Sequence, residues 1–432
     1  MEPATTPSTS SEPAANSFAA RARAHVRAAA GGLPRTFWIL CAGIFVNRAG
    51  AFVVPFLSVY LTQARGYPAA TAGFVAALYG AGAMSASLIG GYLADHVGRR
   101  RTMLLALVLG GTGMIALGFA RNLRVIAPSV FVIALLGEAY RPAMSAAVSD
   151  LVPPEDRVRA FGLLYWVVNI GFSVGAIAGG ALASQSFLLL FVGDGVTTLL
   201  FGLLVARLVP ETRPAPAPHP PGHRPRGLVR EFMAPYRDGP FGAFVLLCVL
   251  IMLVFMQHIT AFPITMSAQG VSRAWLGMVL GINGVTIVLL QPFLAPVLQR
   301  LNRSRVLAAG AILVGLGFGM NAVAHSAGVF ALGVFVWTMG EIAVLPIGNA
   351  VVADVAPSHM RGRYQGAYGL SFGLAGFCAP LIGTAVLQRW GSLPLWAGCL
   401  ALGVVVAAGH LMLEPRLTRL RRQRLAERGA AV

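Results

Sequence analysis

Ionisable side chains inside long apolar runs are costly, so the few that occur in this chain are the first candidates for chemistry. Arg48, Glu138, Arg141, Asp194, His258 and Glu341 are such residues. Glu138 and Arg141 stand three apart, which puts both on one face of a helix. A carboxylate among apolar helices is tolerated either ionised beside a cation or neutral and protonated, so such an acid can exchange an arginine partner for a proton. Arg48, Glu138, Arg141 and Glu341 are expected to meet in one buried charge cluster. The plainer alternative is a structural Glu138–Arg141 pair, with Arg48 and Glu341 bonded to backbone. Glu138 has an arginine on its own helix, whereas Glu341 depends on partners from elsewhere, such as Arg48. Glu341 is therefore the expected proton carrier. Asp194, between Gly193 and Gly195, reads as part of a tight helix contact or of a cavity wall. His258, beside Gln257, reads as a neutral hydrogen-bonded imidazole or as a titrating one.

The elements that must carry these residues follow from composition. The 432 residues are 56% hydrophobic and 11% charged, with a mean hydropathy of +0.73, far too apolar for an ordinary soluble domain. A membrane span needs roughly 20 apolar residues. Twelve runs qualify, at about 36–62, 69–94, 102–120, 124–150, 159–183, 187–208, 241–267, 274–298, 304–324, 328–354, 363–388 and 393–413. The expected fold is an all-α membrane protein of twelve transmembrane helices. The net charge of +18 would by itself suggest nucleic acid, but its placement argues otherwise and no nucleic-acid partner is expected. All 33 basic residues are arginine, which reflects a GC-rich genome rather than chemistry. Cys41, Cys248, Cys378 and Cys399 lie inside apolar runs without metal or disulfide spacing.

The arginines give a topology. Of the 33, 26 fall in the two tails and the five loops of one side, five (Arg65, Arg121, Arg124, Arg273 and Arg389) on the other side, and Arg48 and Arg141 within spans. Positive loops stay inside, so both termini are expected in the cytoplasm of a bacterial plasma membrane. Residues 1–35 read as a disordered tail, 36–208 and 241–413 as two six-helix bundles, 209–240 as a Pro-rich basic linker, and 414–432 as a basic tail. That tail spaces Leu417, Leu420 and Leu425 among arginines, and either lies on anionic lipid or is plainly solvated. Internal repetition supports two halves: Asp150, Pro153, Arg157, Arg159 and Gly162 recur as Asp354, Pro357, Arg361, Arg363 and Gly366, each displaced by 204.

One turn stands out, GGYLADHVGRRRTM at 90–103. Gly91 and Gly98 permit close approach and a sharp reversal, Asp95 can accept from the free amides of a neighbouring helix start, and Arg99, Arg100 and Arg101 hold the inner face. Gly91, Leu93, Ala94, Asp95, Gly98, Arg99 and Arg100 resemble, in type and spacing, the loop between the second and third helices of the major facilitator superfamily. His96 and Met103 depart from that pattern without breaking it. The corresponding turn of the second half, QPFLAPVLQRLNRSRV, lacks the acid, with Pro296 aligned to Asp95, and a weaker gating role is expected there. The resemblance implies two pseudo-symmetric six-helix bundles, alternating access, and a cytoplasmic gate at this turn.

In the fifth span, Gly162, Gly171, Gly175, Gly179 and Gly180 resemble the glycine motif of proton-linked drug exporters of this superfamily, with Ala176 in place of its proline. Glycines at such spacing also serve ordinary helix packing. A second resemblance, to proton-coupled peptide importers, rests on Arg48, on Arg141 with Pro142, and on Gly340, Glu341 and Pro346. It is incomplete, because Ile44 and Asn47 replace acids and Ala51 and Phe52 replace tyrosines. No HExxH, strand-to-helix GxSxG or GxxxxGK[ST] is present, so neither an enzyme nor an ATP-driven pump is expected. The reading is a monomeric secondary transporter without metal or cofactor. It exports small amphipathic molecules in exchange for protons, with peptide import by symport as the alternative.

The arginine count yields a direct expectation. Tags at either terminus or within 209–238 should be reached by impermeant reagents only after the membrane is opened; labelling of any one of them on intact cells would overturn the topology.

Overall fold

The computed structural model describes residues 31–213, 234–357 and 360–429. Most of the N-terminal tail and the centre of the linker read from the sequence lie outside these. Among the described residues, twelve helices are long and apolar enough to cross a membrane, from Arg35–Ala64 to Ser392–Arg424. They form two bundles of six, and the loops rich in arginine all fall at one end, called here the basic face. Apart from the last, which runs on well past 413, the runs read from hydropathy match the helical segments to within a few residues, because a helix in lipid needs its length of apolar side chains and little else.

Three spans are not continuous. The first breaks at Gly50–Phe52 between Arg35–Ala49 and Val53–Val59. The fourth breaks at Glu138–Ala139 between Leu123–Gly137 and Tyr140–Leu151. The seventh passes through a tight turn, Met256–Ile259, before Ala261–Ala268. Each break is followed within a few residues by a proline, Pro55, Pro142 or Pro263. Proline has no amide hydrogen and its ring crowds the carbonyl four residues back, so the ladder cannot run through unbroken. Glu138, Gln257 and His258 sit in the breaks themselves, and Arg48 and Arg141 lie within a few residues of one.

The halves meet most closely away from the basic face. A methyl group added at Gly180 would stand 2.7 Å from the Arg273 carbonyl oxygen and 2.9 Å from Gly277 Cα. Gly80 approaches Gly376 in the same way. Arg273 seals this end, donating from Nη1 to the Ala183 carbonyl at 3.0 Å and from Nε to Gln63 at 3.2 Å. Toward the basic face the halves part: no atom lies within 4 Å of a Cβ placed at Gly91, Gly162, Gly366 or Gly369. Leu88 and Phe293 there are 76% and 75% exposed. The molecule is open on its basic face and closed on the other.

The C-terminal segment corrects both expectations for it. The last helix runs on from Ser392 to Gly429, with Leu413, Leu417 and Leu420 buried in the core of the second bundle. Arg421 pairs with Asp354 at 2.6 Å and Arg424 with Asp238 at 3.6 Å. Leu417 and Leu420 therefore pack on protein instead of lipid, the side chain of Leu425 lies outside the described residues, and the tail is not a free solvated strand. Apolar side chains at three- and four-residue spacing cover whichever apolar surface is nearest.

The closed face supplies a test. The Ala70 amide donates to Gln388 Oε1 at 2.8 Å across this face, which brings the two positions within reach of a short bifunctional thiol reagent. With the four native cysteines replaced and a protease site inserted between 214 and 233, Ala70→Cys with Gln388→Cys should keep the two halves together on a gel after cross-linking and cleavage. Separate halves would mean that this face does not close as described.

Candidate functional site

The three breaks open onto one cavity of about 250 Å³ near the molecular axis. Arg48, Tyr79, Glu138, Arg141, Asp194 and His258 all line it. Glu138 stands at the centre of the arrangement, with Oε1 accepting from the Tyr79 hydroxyl at 2.7 Å and Oε2 paired with Arg141 Nε. The break positions it: Pro142 removes the amide that would otherwise bond the Glu138 carbonyl, and the loosened turn lets Glu138 and Arg141 face the same space.

Arg48 begins a second chain of bonds. It donates to the Tyr140 hydroxyl, which donates to Asn47 Oδ1 at 3.1 Å, and Asn47 Nδ2 donates to Thr198 at 3.0 Å. Asp194 closes the break in the first span by accepting from the Val53 amide at 3.2 Å. That answers both readings of Asp194: it lines the cavity, while its neighbour Gly195 packs against the Gly111 carbonyl and Ile115. His258 donates from Nδ1 to the Phe255 carbonyl at 2.7 Å, because a carbonyl oxygen only accepts, and its ring lies against Phe255 and Trp337.

Two expectations fail here. Glu341 does not join the arginine cluster. It is held inside the second bundle, where Asn283 donates to its Oε2 at 2.6 Å and to Thr338 at 3.0 Å. The reason is register: the tenth span is a continuous helix, and the turn that carries Glu341 faces the eighth span rather than the axis. Gln257 is not on the cavity either, since its Nε2 donates to the carbonyls of Leu253 and Ala379 and the side chain turns to the eleventh span.

Outside the inner cavity, toward the basic face, lies a cleft of about 690 Å³ between the second and eleventh spans. Tyr79, Glu138 and Arg141 line this one too.

The turn at 90–103 is organised differently from the expectation. Asp95 bonds Arg99 of its own turn at 3.1 Å and its side chain is 66% accessible. The free helix start is taken by Glu211, whose Oε1 accepts from the Arg99 amide at 2.8 Å. Gly98 makes room, with φ of 114° and the Glu211 carboxylate against its missing side chain. Arg99 Nε also meets Asp150 at 3.0 Å, Arg100 donates to the Ala206 carbonyl at 2.6 Å, and Gly91 is open. The second half repeats this 204 residues on, where Arg303 pairs with Asp354. Asn302 heads the helix there as Gly98 does in the first half. The residue matching Asp95 is therefore Gln299, not Pro296, because the helix starts set the alignment; the acid is absent either way. Glu414, accepting from Asn302 at 2.6 Å, matches Glu211.

The fifth-span glycines are packing positions. Gly171 and Gly175 receive Arg48 and Ala49 of the first span, Gly179 faces Phe52 and Phe56, and Gly180 meets the eighth span, while Gly162 is open. Sequence reasoning missed Tyr79, Tyr140, Thr198, Asn283 and Glu211. The signal of the first four was polarity inside apolar runs, which uncharged side chains carry only weakly, whereas Glu211 stands in a polar linker where a carboxylate does not stand out.

A fold of two six-helix bundles around an axial cavity with buried charges defines a class, the secondary transporters. Residues 40–282 and 258–430 match the family model of the Major Facilitator Superfamily, and the chain belongs to that family. It is an integral, multi-pass membrane transporter, not an enzyme. The MFS-type transporter YttB of Bacillus subtilis (strain 168) is 26% identical over 391 residues, covering 89% of this chain and 96% of that protein. A Na(+), Li(+), K(+)/H(+) antiporter of Planococcus maritimus is 25% identical, covering 78% and 86%. The multidrug resistance protein MdtH of Aeromonas hydrophila is 24% identical, covering 89% and 97%. Among solved structures, the peptide transporter POT in complex with sulfate superposes with a TM-score of 0.77 at 19% identity, over 90% of this chain and 96% of that one.

The two acids at the turn should differ in energetic weight. Asp150→Asn, which leaves the largely covered Arg99 without that partner, should lower stability by about 2 kcal/mol, read as a fall in the thermal unfolding midpoint of the purified protein. Asp95→Asn, on the exposed side of the same arginine, should change it by less than about 0.5 kcal/mol. Equal losses would contradict the assignment.

Proposed function

We propose that this transporter exports small amphipathic molecules in exchange for protons by alternating access. In this reading the basic face is cytoplasmic, both termini lie inside, and the open state is the one that loads substrate from within. The observation that carries the coupling is the environment of Glu341. Its carboxylate is 8% exposed, and the partner bonded to it is the neutral amide of Asn283. Removing an acid from water without a cation beside it strongly disfavours the charged form. Rocking of the halves moves the eighth span, because Gly284, next to Asn283, packs against Asn169 and Ser173 of the fifth. The movement therefore changes what solvates Glu341, and with it the hold on a proton. Glu138 stays ionised beside Arg141 and serves the substrate site. The names of two relatives, a multidrug resistance protein and a cation/proton antiporter, support export and antiport.

Peptide import by proton symport is the second reading. Arg48, Arg141 with Pro142, and Glu341 with Pro346 favour it. The wide separation of roles between Arg48, bonded to Tyr140, and Glu341, bonded to Asn283, weighs against it.

Glu341→Gln imitates only the protonated state. In proteoliposomes it should abolish accumulation driven by a pH gradient while leaving exchange of substrate down its own gradient measurable. Gradient-driven accumulation by that variant would move the proton to Glu138, Asp194 or His258.

A further inference from the structure

The inner cavity and the outer cleft share a wall made by Val54, Tyr79, Glu138, Arg141 and Ile259, and the ion pair on it does not offer both of its charges equally. The side chain of Glu138 is 11% accessible and that of Arg141 is 56% accessible. Both Glu138 oxygens are engaged, Oε1 by the Tyr79 hydroxyl and Oε2 by Arg141 Nε. The other acid of the inner cavity, Asp194, is 6% exposed and holds the Val53 amide. Arg141 meets Glu138 through Nε, along one edge of a fork that carries five N–H donors. A solute that reaches this wall therefore meets guanidinium donors before it meets a carboxylate. Such a fork matches the paired oxygens of a carboxylate or phosphate.

The cleft beyond the pair has a different chemistry. Met84, Leu88, Met256, Leu370 and Phe372 line it, and the space beside Gly369 is open. From Tyr79 to Leu88 the second span offers about 13 Å of helix at 1.5 Å per residue, room for one extended apolar tail. Gly80 and Gly376 meet beside it, and Leu57, Ser58, Ala76 and Pro380 line its deeper end.

We propose that the solute this transporter takes is a single-tailed amphiphilic anion, its carboxylate or phosphate head paired with Arg141 and its tail laid in the cleft between the second and eleventh spans. The proposal rests on reading these cavities as the transport path. It distinguishes this site from one built on a bare buried acid, which would draw lipophilic cations; here Arg141 stands in front of Glu138 and repels them.

The test is equilibrium binding to the full chain in lipid nanodiscs, with empty discs subtracted, using decanoate, decyltrimethylammonium and butyrate as probes. Decanoate should bind at least about tenfold more tightly than either of the others, a difference of roughly 1.4 kcal/mol. Arg141→Gln should erase the preference for decanoate over the cation, and Arg141→Lys should retain part of it. Gly369→Phe, which fills open space in the cleft, should weaken decanoate and leave butyrate unchanged. Tighter binding of the cation to the unaltered protein, or decanoate binding indifferent to Arg141→Gln, would overturn the proposal. The antiport reading fails separately: decanoate bound as described but never driven by a pH gradient would end proton exchange and keep the anion site. Proton-driven export of a cation with no decanoate binding would do the reverse.

Discussion

Backbone broken inside an apolar bundle has to find partners for its freed amides and carbonyls, and the rest of this structure depends on that constraint. Lipid supplies none, so a break is tolerated only where it faces protein or a cavity. Spans one, four and seven each break near their middle, ahead of a proline, and all three breaks point at the axis. The partners are the polar residues that define the site: Asp194 takes the Val53 amide, and His258 takes the Phe255 carbonyl. The cavity is polar because the helices that build it are interrupted there.

Around that cavity the charges are divided between the halves. The first bundle holds the Glu138–Arg141 pair and the Arg48–Tyr140–Asn47 chain, both on the shared path. The second holds Glu341 with Asn283, off the path but on a span that packs across the interface. In the proposed reading this separation suits proton coupling. A proton site competing directly for the substrate's own partners would exchange with it by displacement, whereas a buried acid on a moving helix responds to the conformation itself.

The same division appears at the basic face as a repeated clamp. Arg99 with Asp150, and Arg303 with Asp354, tie the third span to the fourth and the ninth to the tenth. Glu211 and Glu414 sit over the corresponding helix starts. These contacts lie within each half, so each bundle can rock as a body. Between the halves the close contacts are made by glycines, Gly80 with Gly376 and Gly180 with Gly277, which let backbones slide with few side chains to disengage.

Span number and position, the two-fold repeat and the charged residues of the cavity, Arg48, Glu138, Arg141 and Asp194, were legible in the sequence, because each rests on local physics. Apolar length decides what crosses lipid, arginine placement marks one face, and a buried ionisable residue announces itself by its cost. The glycine pattern of the fifth span likewise identified a packing face. Partnership was another matter. Glu341 pairs with a residue 58 positions away and Gly98 receives a carboxylate from Glu211, 113 positions on. Such choices depend on helix rotation and on which spans are neighbours. Hydropathy cannot report these, since a span in lipid is apolar on nearly every side. The same blindness applied to Gln257 beside His258, to the docking of the last helix through Leu417 and Leu420, and to the neutral Tyr79 and Tyr140. The sequence by itself determined which residues had to be explained; packing of the twelve spans decided which of them met.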